Sequence, residues 1–216
     1  MRAGQTLLCS ALRDGARAYL CIGGGIEVPF VFESASTHLL TGLGGHHGRA
    51  LVAGDSLKIG TAPPGTPLWR GVDPSGIPGF RRGEPFRATD GPQADWFTRE
   101  TRTNLFETEW RVSPACDRMG IRLVGRELGL IRPRELLTEG VCLGAIQIPP
   151  GGLPIVLFVE HQTTGGYPKI ANVIAADLSR LGTLGPRDTL RFERVAMPTA
   201  RALLQAQQEA LNALFS

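Results

Sequence analysis

Lysine is nearly missing from this sequence. Of 23 basic residues in 216, only Lys58 and Lys169 are lysines, and the rest are arginines. Arginine's wide planar fork cannot replace a compact ammonium, so each lysine is a candidate for chemistry. Cysteine is sparse too, with four residues. Cys9, Cys21, Cys116 and Cys142 have no CxxC spacing and too little density for a disulfide framework, so they read as small buried hydrophobes. No run reaches the roughly 18 apolar residues of a membrane span. The opening MRAGQTLLCS lacks the charged segment and long apolar stretch of a secretory leader, and the expected location is cytoplasmic. Charge of one sign never accumulates: the net charge is +3 and acids are interleaved with bases, unlike the basic stripe of a nucleic-acid binder.

Several motifs are also missing. There is no GxxxxGK[ST] phosphate loop, and Gly23–Gly25 lacks the GxGxxG spacing of a dinucleotide site. No GxSxG elbow supports a serine hydrolase. His46 and His47 are adjacent in a glycine-rich loop without an HExxH pattern or a third ligand, so no metal site is expected.

What is abundant is turn-forming sequence. Gly 28 and Pro 16, with 42% hydrophobic residues, fit many short strands joined by tight turns. Strands are predicted at 5–9, 16–22, 27–32, 109–113, 120–124, 145–148, 155–159 and 189–195, with a hairpin over 49–59. Residues 92–107 read as helical, 170–181 as a β-branched start with a helical remainder, and 198–215 as a C-terminal helix. Six prolines and five glycines between Pro63 and Pro85 mark a connection. The division is therefore 1–84, a first β module with its connection, and 85–216, a second β module with the terminal helix. GRALVAGDSLKI and GTLGPRDTLRF echo each other as turn, aspartate and strand.

The segment Glu160–Lys169 (EHQTTGGYPK) is the least ordinary part of the chain. It follows an apolar strand, as functional loops often do. Gln162, Thr163, Thr164 and Tyr167 offer amide and hydroxyl groups, Gly165-Gly166 permits close approach, and Lys169 adds a positive charge. A hairpin turning at Gly-Gly explains the same residues equally well. Gln147, a lone amide in the apolar strand GAIQIPP, either bonds backbone or reads a ureido or lactam edge. Asp117 and Arg118 form a local ion pair, or Arg118 takes a carboxylate or phosphate. Glu139 and Asp177 read as isolated acids.

Taken in order, AYLCIGGGIEVP, SASTHLLTGLGGHHGRALVAGDSL, GPQADWF, SPACDRMGIRL, LLTEGVCLGAIQIPPGGLPIVL and QTTGGYPKIANVIAADL resemble the biotin-dependent carboxyltransferase-like family. That family includes the C subunit of bacterial 5-oxoprolinase (allophanate hydrolase subunit 2), the carboxyltransferase domain of urea amidolyase, and a sporulation-linked antagonist of a kinase inhibitor. The resemblance implies a mainly β fold of cyclophilin-like barrel modules, with a few short helices and a C-terminal helix. It implies one component of an ATP-dependent enzyme that opens 5-oxoproline to glutamate. Its partners would be like the A and B subunits of that enzyme, and its substrate a small ureido or lactam compound. ATP would be used by the complex, and biotin would arrive on a partner chain, since no biotin-attachment sequence is present. Carried onto matching positions, Lys169, Gln147 and Gln162 are the catalytic candidates. Arg118, Met119, Thr163, Thr164, Tyr167 and Ser36 are the substrate-binding ones, with Ser34 and Thr37 weaker.

The resemblance also implies a longer N-terminal portion than MRAGQTL provides. Uncovered apolar side chains are therefore expected near 5–32, at Leu7, Tyr19, Leu20 and Ile22. The alternatives are a partner-binding regulatory module, an inactive remnant, and a urea- or allophanate-related carboxyltransferase. Lys169 is expected in one cleft with Gln147 and Gln162, solvated and of little weight in folding.

Overall fold

Between Phe86 and Arg194 the chain places β-branched and aromatic residues in short runs separated by Gly and Pro, and these runs become one sheet. The computed structural model describes residues 4–12, 15–65, 83–131 and 136–215. Most of the predicted connection lies outside the described residues, as do 13 and 14, between the first two predicted strands. Two compact units are present: Ala18–Val72, and Met1–Arg17 with Asp73–Ser216.

The larger unit carries β1 (Phe86–Asp90), β2 (Trp110–Val112), β3 (Gly120–Val124), β4 (Glu139–Gly140), β5 (Ala145–Gln147), β6 (Ile155–Leu157), β7 (Thr164–Gly165), β8 (Lys169–Val173), β9 (Thr189–Leu190) and β10 (Phe192–Arg194). Eight of them form a sheet in the order β10-β1-β8-β5-β6-β3-β2-β9, and β4 pairs with β7 in a two-stranded ribbon. The predicted strand 189–195 is split. β9 pairs with β2 at one end of the order and β10 runs parallel to β1 at the other. Only Arg191 separates them, so chain continuity joins the two edges and the sheet is a nearly closed barrel.

Its interior is apolar. Trp110, Leu105, Ile121, Leu123, Ile146, Val156 and Ile170 are buried, and the Trp110 indole N–H donates to Leu105 O at 2.9 Å. Helix α1 (Arg99–Glu107) follows a 3-10 turn (Ala94–Trp96), where one helix over 92–107 is predicted. The break is chemical: Thr98 is extended and its hydroxyl accepts from Thr101 N at 3.0 Å, an N-cap. The ambiguous segment 170–181 resolves into β8, a 3-10 turn (Ala175–Asp177) and α2 (Leu178–Leu181). Helix α3 (Met197–Phe215) packs Ala200 and Leu203 beside Ile174 and Ala176.

The smaller unit departs from the prediction. No ladder forms over 16–32 or 49–59 among the described residues; isolated bridges join Ile26 to Ile59, Val31 to Ser34 and His38 to Leu43. Residues 5–9 likewise form no strand. Leu7, Tyr19 and Leu20 are exposed and Ile22 is half-buried. Cys9 and Cys21 are exposed too, as is Cys142, while Cys116 is half-buried, so the reading of the cysteines as buried hydrophobes is corrected. The internal echo survives at turn level. Asp55 accepts from Val52 N at 2.8 Å, and Asp188 accepts from Gly185 N at 2.8 Å. Arg49 also holds Asp55 through both nitrogens, which keeps that carboxyl well below the usual carboxylate range.

Asp177, read as an isolated acid, is fully buried and ties β1 to the helical turn. It accepts from Arg87 N (2.8 Å), Nε (3.0 Å) and Nη2 (2.5 Å), with Arg180 at 3.5 Å. Asp177→Ala should therefore lower unfolding free energy by about 3 kcal/mol, the scale for stranding a buried charge. The urea-denaturation midpoint of the variant measures it.

Candidate functional site

Strand β8 contains an irregularity that decides which side chains meet. Its pairing with β5 runs Ala145 to Asn172 and Ile146 to Ala171, then jumps so that Gln147 faces Lys169. Regular antiparallel pairing would have set Gln147 opposite Ile170. A bulge of this kind re-aims side chains and is common beside active sites. Here it brings the only amide of β5 against the only lysine of β8, and both are buried, at 1% and 4% exposure.

Lys169 is gripped along its backbone. Gln93 N donates to Lys169 O (3.2 Å), and Lys169 N donates to the Gln93 side-chain oxygen (3.0 Å). The close approach needs Gly91, where a Cβ would lie 2.8 Å from Lys169 C and from Ala171 N. The Lys169 ammonium bonds Glu139 of β4, and Gln93 Nε2 donates to the same carboxylate oxygen at 2.7 Å. Lys169 first and Gln93 second hold the Glu139 carboxyl below its ordinary range. The expectation of a solvated lysine is thus corrected: the barrel has taken it out of water and given it a counter-ion.

β4 pairs with β7, placing Glu139 opposite Gly165. A Cβ at Gly165 would lie 2.8 Å from Gln147 Nε2, 3.2 Å from Val141 Cγ1 and 3.3 Å from Gln162 Nε2. Glycine therefore leaves just the space in which two amide nitrogens converge. Gln147 Nε2 is fully buried and finds no hydrogen-bond partner among the described residues. Such a donor is costly unless something fills it.

The other candidates spread around this centre. Thr163 and Thr164 are exposed, with Thr163 O accepting from Val141 N at 3.1 Å. Tyr167 is 44% exposed. Arg118 does not pair with Asp117: it bonds Glu160 at 2.6 Å, while Asp117 accepts from Met119 N and Gly120 N. Backbone bonds from Phe158 N to Met119 O and from Glu160 N to Arg118 O place these two residues against the segment leading to Gln162. Ser36 belongs to the smaller unit, where its N–H donates to Ser34 Oγ at 3.1 Å. Sequence reasoning missed Glu139 and Gln93, because their partners lie 30 and 76 residues away. Among the described residues no group of His, Cys, Asp and Glu is placed to hold a metal ion, and no helix is long and apolar enough to cross a membrane.

The class of this nearly closed, mainly β domain follows from its similarity to known proteins. Residues 1–194 match the family described as carboxyltransferase domain, subdomain A and B, and the chain belongs to that family. It is similar to the C subunit of 5-oxoprolinase from Escherichia coli (strain K12), at 38% identity over 96% of this chain and 66% of the relative. Urea amidolyase of Saccharomyces cerevisiae is 30% identical over 99% of this chain and 12% of its own length. The crystal structure of the K. lactis urea amidolyase superposes with a TM-score of 0.80 at 28% identity, covering 94% of this chain and 13% of that one. The chain thus spans about two thirds of the 5-oxoprolinase relative it matches. Helix α3 begins beyond the matched residues.

The Lys169–Glu139 pair has a pH signature. Because Glu139's folded pKa is depressed, the stability it adds is present above the unfolded carboxylate pKa and is lost as pH falls through the folded one. Between about pH 6 and pH 3 the wild type should therefore lose more stability than Lys169→Met. Urea midpoints across that range give the comparison.

Proposed function

We propose that this chain acts as the C subunit of an ATP-dependent 5-oxoprolinase, contributing a site for the lactam ring. The carrying observation is the buried Gln147 Nε2, without a partner among the described residues, near Gln162 Nε2 and directly opposite Lys169 on the neighbouring strand. A lactam or ureido carbonyl would supply the acceptor that the Gln147 N–H donor lacks among the described residues. As the carbonyl carbon is attacked, negative charge gathers on its oxygen, and converging donors with a nearby ammonium stabilise that charge more than the neutral ground state. Arg118, Met119, Thr163, Thr164 and Tyr167 would line the approach.

ATP in this reading is a substrate of the whole complex, with partners like the A and B subunits supplying what this chain lacks. A biotin ureido ring presented by a partner would offer the same carbonyl edge, which keeps urea- and allophanate-related carboxyl transfer as the nearest enzyme alternative. Association has a surface to act on: Tyr19, Leu20, Phe30, Phe32 and Leu40 expose 65% or more of their area. That surface equally favours the second reading, a regulatory module that binds a partner.

Assay of the assembled complex tests the proposal. The isolated chain should show no conversion of 5-oxoproline to glutamate, and activity should arise only with the partner subunits. Lys169→Met should lower turnover about 100-fold or more, the scale of losing an electrostatic stabiliser. Lys169→Arg should rescue poorly, since the guanidinium fork does not fit a point-charge position. Full turnover in Lys169→Met removes the lysine from the chemistry. A complex that assembles but leaves 5-oxoproline untouched favours the regulatory reading.

Gly165→Ala supplies an independent check. Its methyl group would stand 2.8 Å from Gln147 Nε2, so it should raise KM for 5-oxoproline several-fold while the urea midpoint shifts little. Steady-state kinetics beside a denaturation curve separate the two effects.

A further inference from the structure

Lys169 and Glu139 are unequal partners. The lysine side chain is 4% exposed and the glutamate side chain 41%. Lys169 is locked into an eight-stranded sheet and held on both backbone atoms by Gln93. Glu139 sits on a two-residue strand whose ladder is a two-stranded ribbon, a unit with little stability of its own. Side-chain bonds from the Glu139 carboxylate to Lys169 and Gln93 tie the ribbon to the barrel. The same ribbon carries Gly165, which lies over the partnerless Gln147 amide. The carboxylate that occupies the lysine and the backbone beside the Gln147 amide thus belong to one ribbon.

We propose that Glu139 is an internal stand-in for a ligand carboxylate: a small organic acid exchanges with it on Lys169, and the freed β4–β7 ribbon then uncovers Gln147 and Gln162 for the ligand's carbonyl oxygen. The exchange breaks one ion pair and makes another, and no covalent bond changes. The ligand class is a carboxylate with a carbonyl acceptor a few bonds away. Under the function proposed above, on which this choice of ligand rests, that acid is 5-oxoproline. Glu139 here is a gating residue, held in place until the ligand replaces it.

The scarcity of lysine makes the test clean. In the full chain labelled with 13C at lysine Cε, Lys58 and Lys169 give two signals. Acetate and 5-oxoproline should each shift the Lys169 signal and leave Lys58 unmoved, while 2-pyrrolidinone, the same lactam without the carboxylate, should not shift it. By calorimetry, Glu139→Gln should bind both acids about 10-fold more tightly or better, because the competing internal carboxylate is gone. Glu139→Ala should do the same, which guards against a glutamine that re-forms the contact or a variant that folds poorly. Equal or weaker binding of 5-oxoproline in both variants overturns the exchange and leaves the lactam reading standing. Acetate binding that tightens in both, with no binding of 5-oxoproline, supports the exchange and refutes the lactam reading. A Lys169 signal that responds to neither acid overturns the exchange outright.

Discussion

A lysine ammonium withdrawn from water constrains everything around it. Burial of an unpaired charge is costly, so an ammonium at Lys169 is stabilised by an anion in contact with it. Glu139 meets that need here, and the geometry that allows it runs outward in steps. The bulge in β8 turns Lys169 to the same face as Gln147. Gly91 lets the chain after β1 lie against β8 so that Gln93 can fix the lysine backbone and share its counter-ion. The ribbon that brings Glu139 also brings Gly165 over the amides.

The same constraint explains why the site is built from a weak element and a strong one. A barrel whose edges are joined through Arg191 leaves little freedom to β8, β5 and β1. The ribbon contributes two residues per strand and lies outside that sheet. Binding sites that must admit and enclose a ligand draw their movable parts from the low-stability end of a fold. Glu139 is on the two-stranded ribbon and Lys169 in the eight-stranded sheet, so under the proposed exchange the positive charge would stay in place whichever anion accompanies it.

How much of this the sequence discloses depends on range. The mainly β class, helices α1 and α3, and strands β3, β5 and β6 follow from composition and short periodic runs. Lys169, Gln147 and Gln162 stand out because a lone amide or lysine in an apolar stretch asks for an explanation. What stays hidden is set by partners far along the chain. Glu139 and Asp177 read as isolated acids because Lys169 and Arg87 lie 30 and 90 residues away. The bulge is invisible, since nothing in KIANV marks Ile170 as the residue skipped by the ladder. Conversely, ARAYLCI has every local property of a strand and forms none, because a strand needs a neighbour as well as a propensity. Asp117 beside Arg118 misleads for a related reason: adjacent side chains in a turn point apart, and each finds a better partner elsewhere.

The relatives to which this chain is similar bear two different names, 5-oxoprolinase and urea amidolyase, and the chemistry of the two parent compounds shows what a shared domain must do to serve both. Urea and 5-oxoproline present the same planar edge, a carbonyl oxygen beside an N–H. Paired amide donors such as Gln147 and Gln162 cannot tell them apart. Only 5-oxoproline carries a carboxylate. In the proposed exchange Lys169 would respond to that difference, because an acid can take the place of its internal counter-ion and a neutral ligand cannot. Under the proposed exchange, discrimination within such a domain would reside less in amides that read the ring than in how tightly Glu139, partly exposed on its short ribbon, keeps its place on Lys169.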